Sequence, residues 1–270
     1  MTMTVGVFGI VNVTRDSFSD GGRFLAPAAA IAHGERLLAD GADVLDLGAE
    51  STHPDAEDVP ADEEIARLSP VVDTLLARGA VLSIDTVKPV VMAALLARGV
   101  QWINDVAGFR SEAAMAVVAA APPTTRFVAM FSRCRGPRAD RPEDELDGLL
   151  PELRAFAVER VAAFARAGVT ADRLVIDPGM GFFLGRTAAP SLLVLRELPT
   201  LAPAGVELLV SVSRKSLVGE ITGQPVAGRG PGSLAAELWA ARHGARWIRT
   251  HDAAAFRTAW AVERAIAGGG

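Results

Sequence analysis

"VGVFGIVNV", residues Val5 to Val13, is a short apolar run that ends at an amide, Asn12, and passes into "TRDSFSDGG", Thr14 to Gly22. A run this short, apolar at both alternating positions, suits a strand buried on both faces, which is the environment of a parallel sheet covered by helices. Seven more runs of the same kind follow: Asp43–Gly48, Ala80–Asp85, Gln101–Asp105, Arg126–Phe131, Arg173–Gly179, Glu207–Ser213 and Arg246–His251. Between them lie segments of helical periodicity such as "AAAIAHGERLLADG" and "EIARLSPVVDTLLARG", and the last run is followed by "AAAFRTAWAVERAIAG". Eight strand–helix units at roughly 30-residue spacing predict an α/β protein of the single (β/α)8 TIM-barrel type rather than an open doubly wound sheet.

The totals agree. The chain has 270 residues, 50% hydrophobic and 22% charged, and no linker or low-complexity block divides it, so one domain over residues 1–270 is expected. A net charge of −5 argues against a general nucleic-acid or anionic-membrane binder, and an anionic substrate must be caught by locally placed cations. Cys134 is the single cysteine, which excludes an intrachain disulfide and a cysteine-built zinc site. The first residues lack a basic stretch of the signal-peptide kind, and no apolar run is long enough to span a membrane, so a cytoplasmic setting is expected. "SRCRGPRADRPEDE", after the fifth strand, reads as a mobile loop.

Each predicted strand hands over to polar chemistry at its C-terminal end. The first carries Asn12, the second Asp46 and then "ESTHPD", the third Asp85, the fourth Asn104 and Asp105, the sixth Asp177. The seventh carries Ser213, Arg214 and Lys215, and the eighth Arg249 and His251. Taken singly, an aspartate here can be a helix N-cap, Asn12 a turn former and Ser-Arg-Lys a solvated helix start. As a set they stand at one end, where barrels of this type build their sites. Three cations or donors (Lys215, Arg249, His251) and three carboxylates (Asp46, Asp85, Asp177) would meet in one mouth. Buried carboxylates require partners, and a planar heterocycle with an amidine-like edge supplies them. Closure of the barrel would also bring Asn12 beside Arg249 and His251, a setting for an anion such as a diphosphate.

The chain resembles the dihydropteroate synthase family through "GIVNVTRDSFSDGGRF", "DVLDLGAESTHPDA", "LSIDT", "INDVAGF", "VIDPGMGF", "SVSRKS" and "RTH", in the family's order. Within it, "HPDA", "DPGMGFFLG" and "LLVSVSRKS" are most similar to the mobile sulfonamide-resistance enzymes, which are drug-insensitive. The resemblance implies condensation of 6-hydroxymethyl-7,8-dihydropterin diphosphate with p-aminobenzoate, with release of pyrophosphate. It implies a pterin pocket of Asp85, Asn104, Asp177 and Lys215, Asp177 taking the amino and ring N–H and Asp85 facing the developing cation. It further implies a diphosphate site of Asn12, Arg249 and His251, with Mg2+ held through Asn12 and the diphosphate. Thr52, Phe18, Ser213 and Arg214 would surround p-aminobenzoate, and residues 14–24 would close over the ligands. A homodimer through the last two helical segments, which carry Trp239, Phe256 and Trp260, is implied as well.

Some positions depart from the family pattern. His53 replaces a common arginine, Phe131 follows Met130 where histidine is usual, and Phe183, Leu184 and Gly185 stand where a lysine is frequent. The resemblance implies that the aromatic pair Phe182–Phe183 stands beside the p-aminobenzoate site, where a bulky side chain would reject a sulfonamide's larger substituent by steric clash. Two other readings remain open: a methyltetrahydrofolate methyltransferase-like enzyme on the same barrel, and a homologue that binds pterin without turnover.

Overall fold

The computed structural model describes residues 4–13, 25–51, 58–136 and 138–268. Among these, eight strands pair in parallel in chain order: β1 (Gly6–Asn12), β2 (Val44–Gly48), β3 (Leu82–Asp85), β4 (Trp102–Asp105), β5 (Arg126–Met130), β6 (Leu174–Asp177), β7 (Glu207–Val210) and β8 (Ala245–Thr250). β1 also pairs with β8, Phe8 opposite Arg249, which closes the barrel and excludes the open sheet. The helices are α1 (Leu25–Ala39), α2 (Ala61–Ala77), α3 (Pro89–Leu96), α4 (Glu112–Ala120), α5 (Leu149–Arg166), α6 (Ala189–Glu197), α7 (Ser216–Thr222), α8 (Gly230–Arg242) and α9 (Ala253–Ile266).

Alternation along the strands separates two cores. Leu45, Leu47, Leu82, Ile84, Ile103, Phe127, Ile176 and Ile248 are wholly buried and join the helices in the larger core. Phe8, Val44, Trp102, Val128, Val175, Leu209 and Trp247 form a separate cluster inside the barrel. Its three large rings meet edge to face, Phe8 with Trp102 at 5.1 Å and with Trp247 at 5.3 Å between centroids. Gly6 is required by this plug, because a Cβ there would lie 2.2 Å from the Trp247 ring.

The same alternation places the polar groups. Two residues beyond each member of the plug stand Ile10, Asp46, Asn104, Met130, Asp177, Ser211 and Arg249. An apolar floor and a polar storey above it therefore come from one period-2 pattern, and that storey opens at the C-terminal face. The segment after β5 is irregular, as expected, yet it is tied down. Arg138 reaches Asp58 at 2.6 Å, and Asp144 accepts the Arg186 N–H at 2.6 Å. No helix among the described residues is long and apolar enough to cross a membrane.

Candidate active site

A cavity of about 480 Å3 opens above the plug. Its polar lining includes Asp85, Asn104, Asp177, Arg214, Lys215 and Arg249. Asp46 lies at its base, fully buried. One of its oxygens accepts from Arg249 Nε at 2.6 Å and from Asn104 Nδ2 at 3.0 Å, while the other, Oδ1, has no partner. Arg249 Nη2 donates to Asp85 at 2.9 Å, so one guanidinium joins the carboxylates of β2 and β3 from β8.

Burial dominates the electrostatics. It pushes the Asp85 carboxyl up to about 7, against the pull of Arg249 and with the support of Asp46. Asp177 is also raised by burial, although Lys215 and the Gly179 N–H, which donates to it at 2.8 Å, work the other way. Burial lowers Lys215 to about 8, with Asp177 opposing and Arg249 reinforcing the shift. Arg249 is raised despite its burial, because Asp46, Asp85 and Asp177 surround it. A carboxylate set near neutrality, beside a lysine that still carries a proton, is the kind of group distribution found where charge must be handled.

The loops that carry these groups follow from local sequence. Gly179 has φ +72°, and a Cβ there would lie 2.3 Å from the Phe131 carbonyl oxygen, so the turn that returns the chain past Asp177 needs glycine. Arg214 is a non-glycine residue at φ +57°, held by its N–H to Ser233 Oγ at 2.8 Å and by its carbonyl, which accepts from Arg229 at 3.0 Å. That strained turn aims Lys215 into the cavity, with Nζ 3.4 Å from the Met180 carbonyl and 5.3 Å from the Phe183 ring centroid. Phe182 and Phe183 form a short 3-10 turn and both line the cavity; Phe183 is buried against Val106, Met130, Cys134 and Ala139.

A second cavity, about 370 Å3, is lined by Asn12, His33, Arg36, Arg214 and His251 among others. The expected grouping of Asn12, Arg249 and His251 is thus divided. Asn12 and His251 share this cavity, whereas Arg249 turns inward to Asp46, which is fully buried and needs a counter-charge, and to half-buried Asp85. Arg214 borders both spaces. Ser213 is also placed away from the larger cavity. Its hydroxyl lies 3.0 Å from His251 Nδ1, and burial, with Arg214 and Arg249, holds that ring down to about 3. Asp105, at the end of β4, is structural: it accepts the N–H groups of Ala107 and Phe109 at 2.8 and 2.7 Å. Phe18, Thr52, His53 and the segment 14–24 lie outside the described residues.

Sequence reasoning overlooked several lining residues. Ser211 was legible, since it stands two positions after the inward Leu209. His33, half-way along α1, and Arg138 and Arg229, from loops, carried no such signal; only the tertiary structure brings them to the mouth. Glu64 is likewise unremarkable in α2, yet it is fully buried and takes Lys88 Nζ at 2.8 Å, with Glu50 completing the cluster at the cavity edge.

A closed parallel barrel with a dry aromatic floor and opposed buried charges at its C-terminal mouth defines an enzyme-type pocket for a small polar ligand. Residues 8–251 match the model of the pterin binding enzyme family. The Escherichia coli dihydropteroate synthase type-2 is 45% identical over 267 residues, which is 98% of this chain and 97% of that one. The Xanthomonas albilineans dihydropteroate synthase solved with 4-aminobenzoic acid superposes with a TM-score of 0.88 at 43% identity, covering 97% of this chain and 93% of that one. The same organism's enzyme in complex with 7,8-dihydropteroate gives 0.85 at 41% identity, covering 98% and 95%. The chain belongs to the pterin binding enzyme family and, within it, to the dihydropteroate synthases.

Proposed function

We propose that this chain condenses 6-hydroxymethyl-7,8-dihydropterin diphosphate with p-aminobenzoate, forming 7,8-dihydropteroate and pyrophosphate. The observation that carries this reading is the constellation of half-buried Asp85 and Lys215 with buried Asn104 and Asp177 in one 480 Å3 cavity over an apolar floor. A pterin offers an amidine-like N–H edge, and the carboxylate of Asp177 accepts two parallel N–H bonds from it. Asn104 and Lys215 meet the remaining polar atoms of the ring.

In the reaction the methylene C–O bond breaks and its electron pair leaves with the diphosphate. The amine of p-aminobenzoate forms the new C–N bond and releases one proton. Positive charge grows on the methylene carbon as the C–O bond lengthens, and the Asp85 carboxylate stabilises it without having to reorganise. Asn12, His251 and Arg214 bound the neighbouring cavity, where the diphosphate is placed. Arg249 reaches that group only by exchanging a carboxylate for a phosphate oxygen.

Mg2+ fits this site as a substrate-borne ion. Among the described residues no group of three or more His, Cys, Asp or Glu is arranged to hold a metal, so these residues offer no cage. The exposed amide of Asn12 would supply one oxygen to it, and Mg2+ commonly takes one or two protein oxygens with the rest from phosphates and water. Bound there, it would neutralise the leaving diphosphate.

Three further parts of the reading follow. Insensitivity to sulfonamides is assigned to Phe183, whose ring forms the wall between Lys215 and the buried patch around Met130. A homodimer is assigned to the α8–α9 end, where Trp239, Val262 and Ile266 are 45%, 55% and 80% exposed. One pterin-binding barrel, working in the cytoplasm, completes it. The test is pyrophosphate release by purified protein given the pterin diphosphate, p-aminobenzoate and Mg2+, with and without sulfamethoxazole. Turnover that persists with the drug is expected. Pterin binding without turnover would instead indicate a homologue that has lost its chemistry.

A further inference from the structure

The cavity shared by Asn12 and His251 differs in kind from its larger neighbour. Asp85 and Asp177 line the larger one, whereas no carboxylate among the described residues lines the smaller. One wall of it is α1. Ala29, His33 and Arg36 follow the i, i+4, i+7 spacing of a single helix face, and the short side chains of Ala29, Ala30 and Ala32 leave the space open. Arg36 is exposed, and among the described residues it forms no ion pair. Its guanidinium turns back along the helix to His33 instead, with Nη2 3.3 Å from Nδ1 of the ring.

The hydrogen-bond inventory fixes that ring. His33 Nε2 lies 3.2 Å from the Ile10 carbonyl, which only accepts, so Nε2 carries the ring proton. A guanidinium only donates, so Nδ1 meets Arg36 with its lone pair. The ring is neutral and both of its nitrogens are engaged. Burial, the largest influence, holds it below the ordinary histidine value; the Ile10 carbonyl opposes, and Arg36 and Arg214 reinforce. His33 thus has no donor left for a ligand, and what it does is hold Arg36 against β1 at the cavity.

We propose that Arg36, oriented by His33, binds the outer phosphate of the substrate diphosphate and lets the site tell a diphosphate from a monophosphate. The placement of the diphosphate rests on the synthase reading above, and the family resemblance assigns no contact from α1. Arg214 borders both cavities, so it stands beside the phosphate joined to the pterin methylene. Arg36 lines the second cavity and not the first, one step further out. A monophosphate at the inner position meets Arg214 and leaves Arg36 unused. A diphosphate reaches both, and the planar fork of an arginine suits the oxygens of its terminal group.

The test is calorimetric binding of pyrophosphate and of orthophosphate, each with Mg2+, to the intact protein. The wild type is expected to bind pyrophosphate more tightly. In Arg36→Met the pyrophosphate Kd is expected to rise about fivefold, while that of orthophosphate stays level. His33→Gln has an amide that can donate to Ile10 and accept from Arg36, so it is expected to keep the wild-type pyrophosphate affinity. His33→Phe can do neither and is expected to match Arg36→Met. A wild type that binds the two anions equally overturns the proposal without any variant. So does an unchanged pyrophosphate Kd in Arg36→Met, or an equal loss for both anions, which would reduce Arg36 to a general positive field. Wild-type affinity in His33→Phe overturns the part given to His33. Failure of the synthase reading is separate, since it appears as a protein that binds pyrophosphate yet releases none from the pterin diphosphate and p-aminobenzoate.

Discussion

Arg249 on β8 and Asp46 on β2 are 203 residues apart in the chain, yet the guanidinium Nε lies 2.6 Å from the carboxylate. Closure of the barrel through β1 makes that contact, and Arg249 extends it to Asp85 at 2.9 Å. The pair neutralises charge that is deep in the barrel, and Arg249 links the Asp46 carboxylate there to that of Asp85.

Removing the cation leaves those carboxylates uncompensated. Arg249→Met is expected to lower stability by roughly 3–5 kcal/mol, because breaking a buried pair costs more than the pair contributes. Urea denaturation checks this. A loss under about 1 kcal/mol would mean that water or another cation replaces the guanidinium.

Catalysis is expected to follow a bell-shaped pH profile. Asp85 acts as a carboxylate and burial places it at about 7, while Lys215, lowered by burial to about 8, must keep its proton. kcat/KM should therefore rise as pH approaches 7 and fall beyond about 8. Lys215→Arg should remove the alkaline limb, and an unchanged limb would place it on another group.

Stability should respond in the opposite sense on the acid side. A carboxyl raised from 3.8 to about 7 binds more protons folded than unfolded over that window, so Asp85 favours the folded state most below it and least above it. Thermal melts of Asp85→Asn should show a flatter decline between those pH values than the wild type. Parallel curves would assign the slope to other buried acids.

The pterin edge gives a direct binding test. Asp177→Asn should weaken pterin affinity by about 3 kcal/mol, or about 100-fold, because one acceptor becomes a donor facing N–H groups. Isothermal calorimetry with the free pterin measures it, and an unchanged Kd would remove Asp177 from the site.

Phe183→Gly is expected to let sulfamethoxazole inhibit while p-aminobenzoate turnover persists, since the ring forms one wall of the cavity beside Lys215. Equal drug inhibition before and after the change would leave the aromatic without that role.

By itself, the chain determined the layers and the chemistry. Eight apolar runs and a period-2 pattern were enough to read a barrel, and the polar residues two positions beyond Val44, Trp102, Val175 and Trp247 were visible as Asp46, Asn104, Asp177 and Arg249. Local propensity and alternation act over a few residues, so a linear reading captures them. The tertiary structure alone decided which charges meet. Arg249 turned to Asp46 and Asp85 instead of joining Asn12, because a buried carboxylate demands a counter-charge more strongly than an open mouth does. It also brought Glu237, from a helix that reads as ordinary, to a cavity it shares with Ser213 and Thr250. Such pairings depend on barrel closure and on the dielectric of the interior, and neither is a property of any short stretch of sequence.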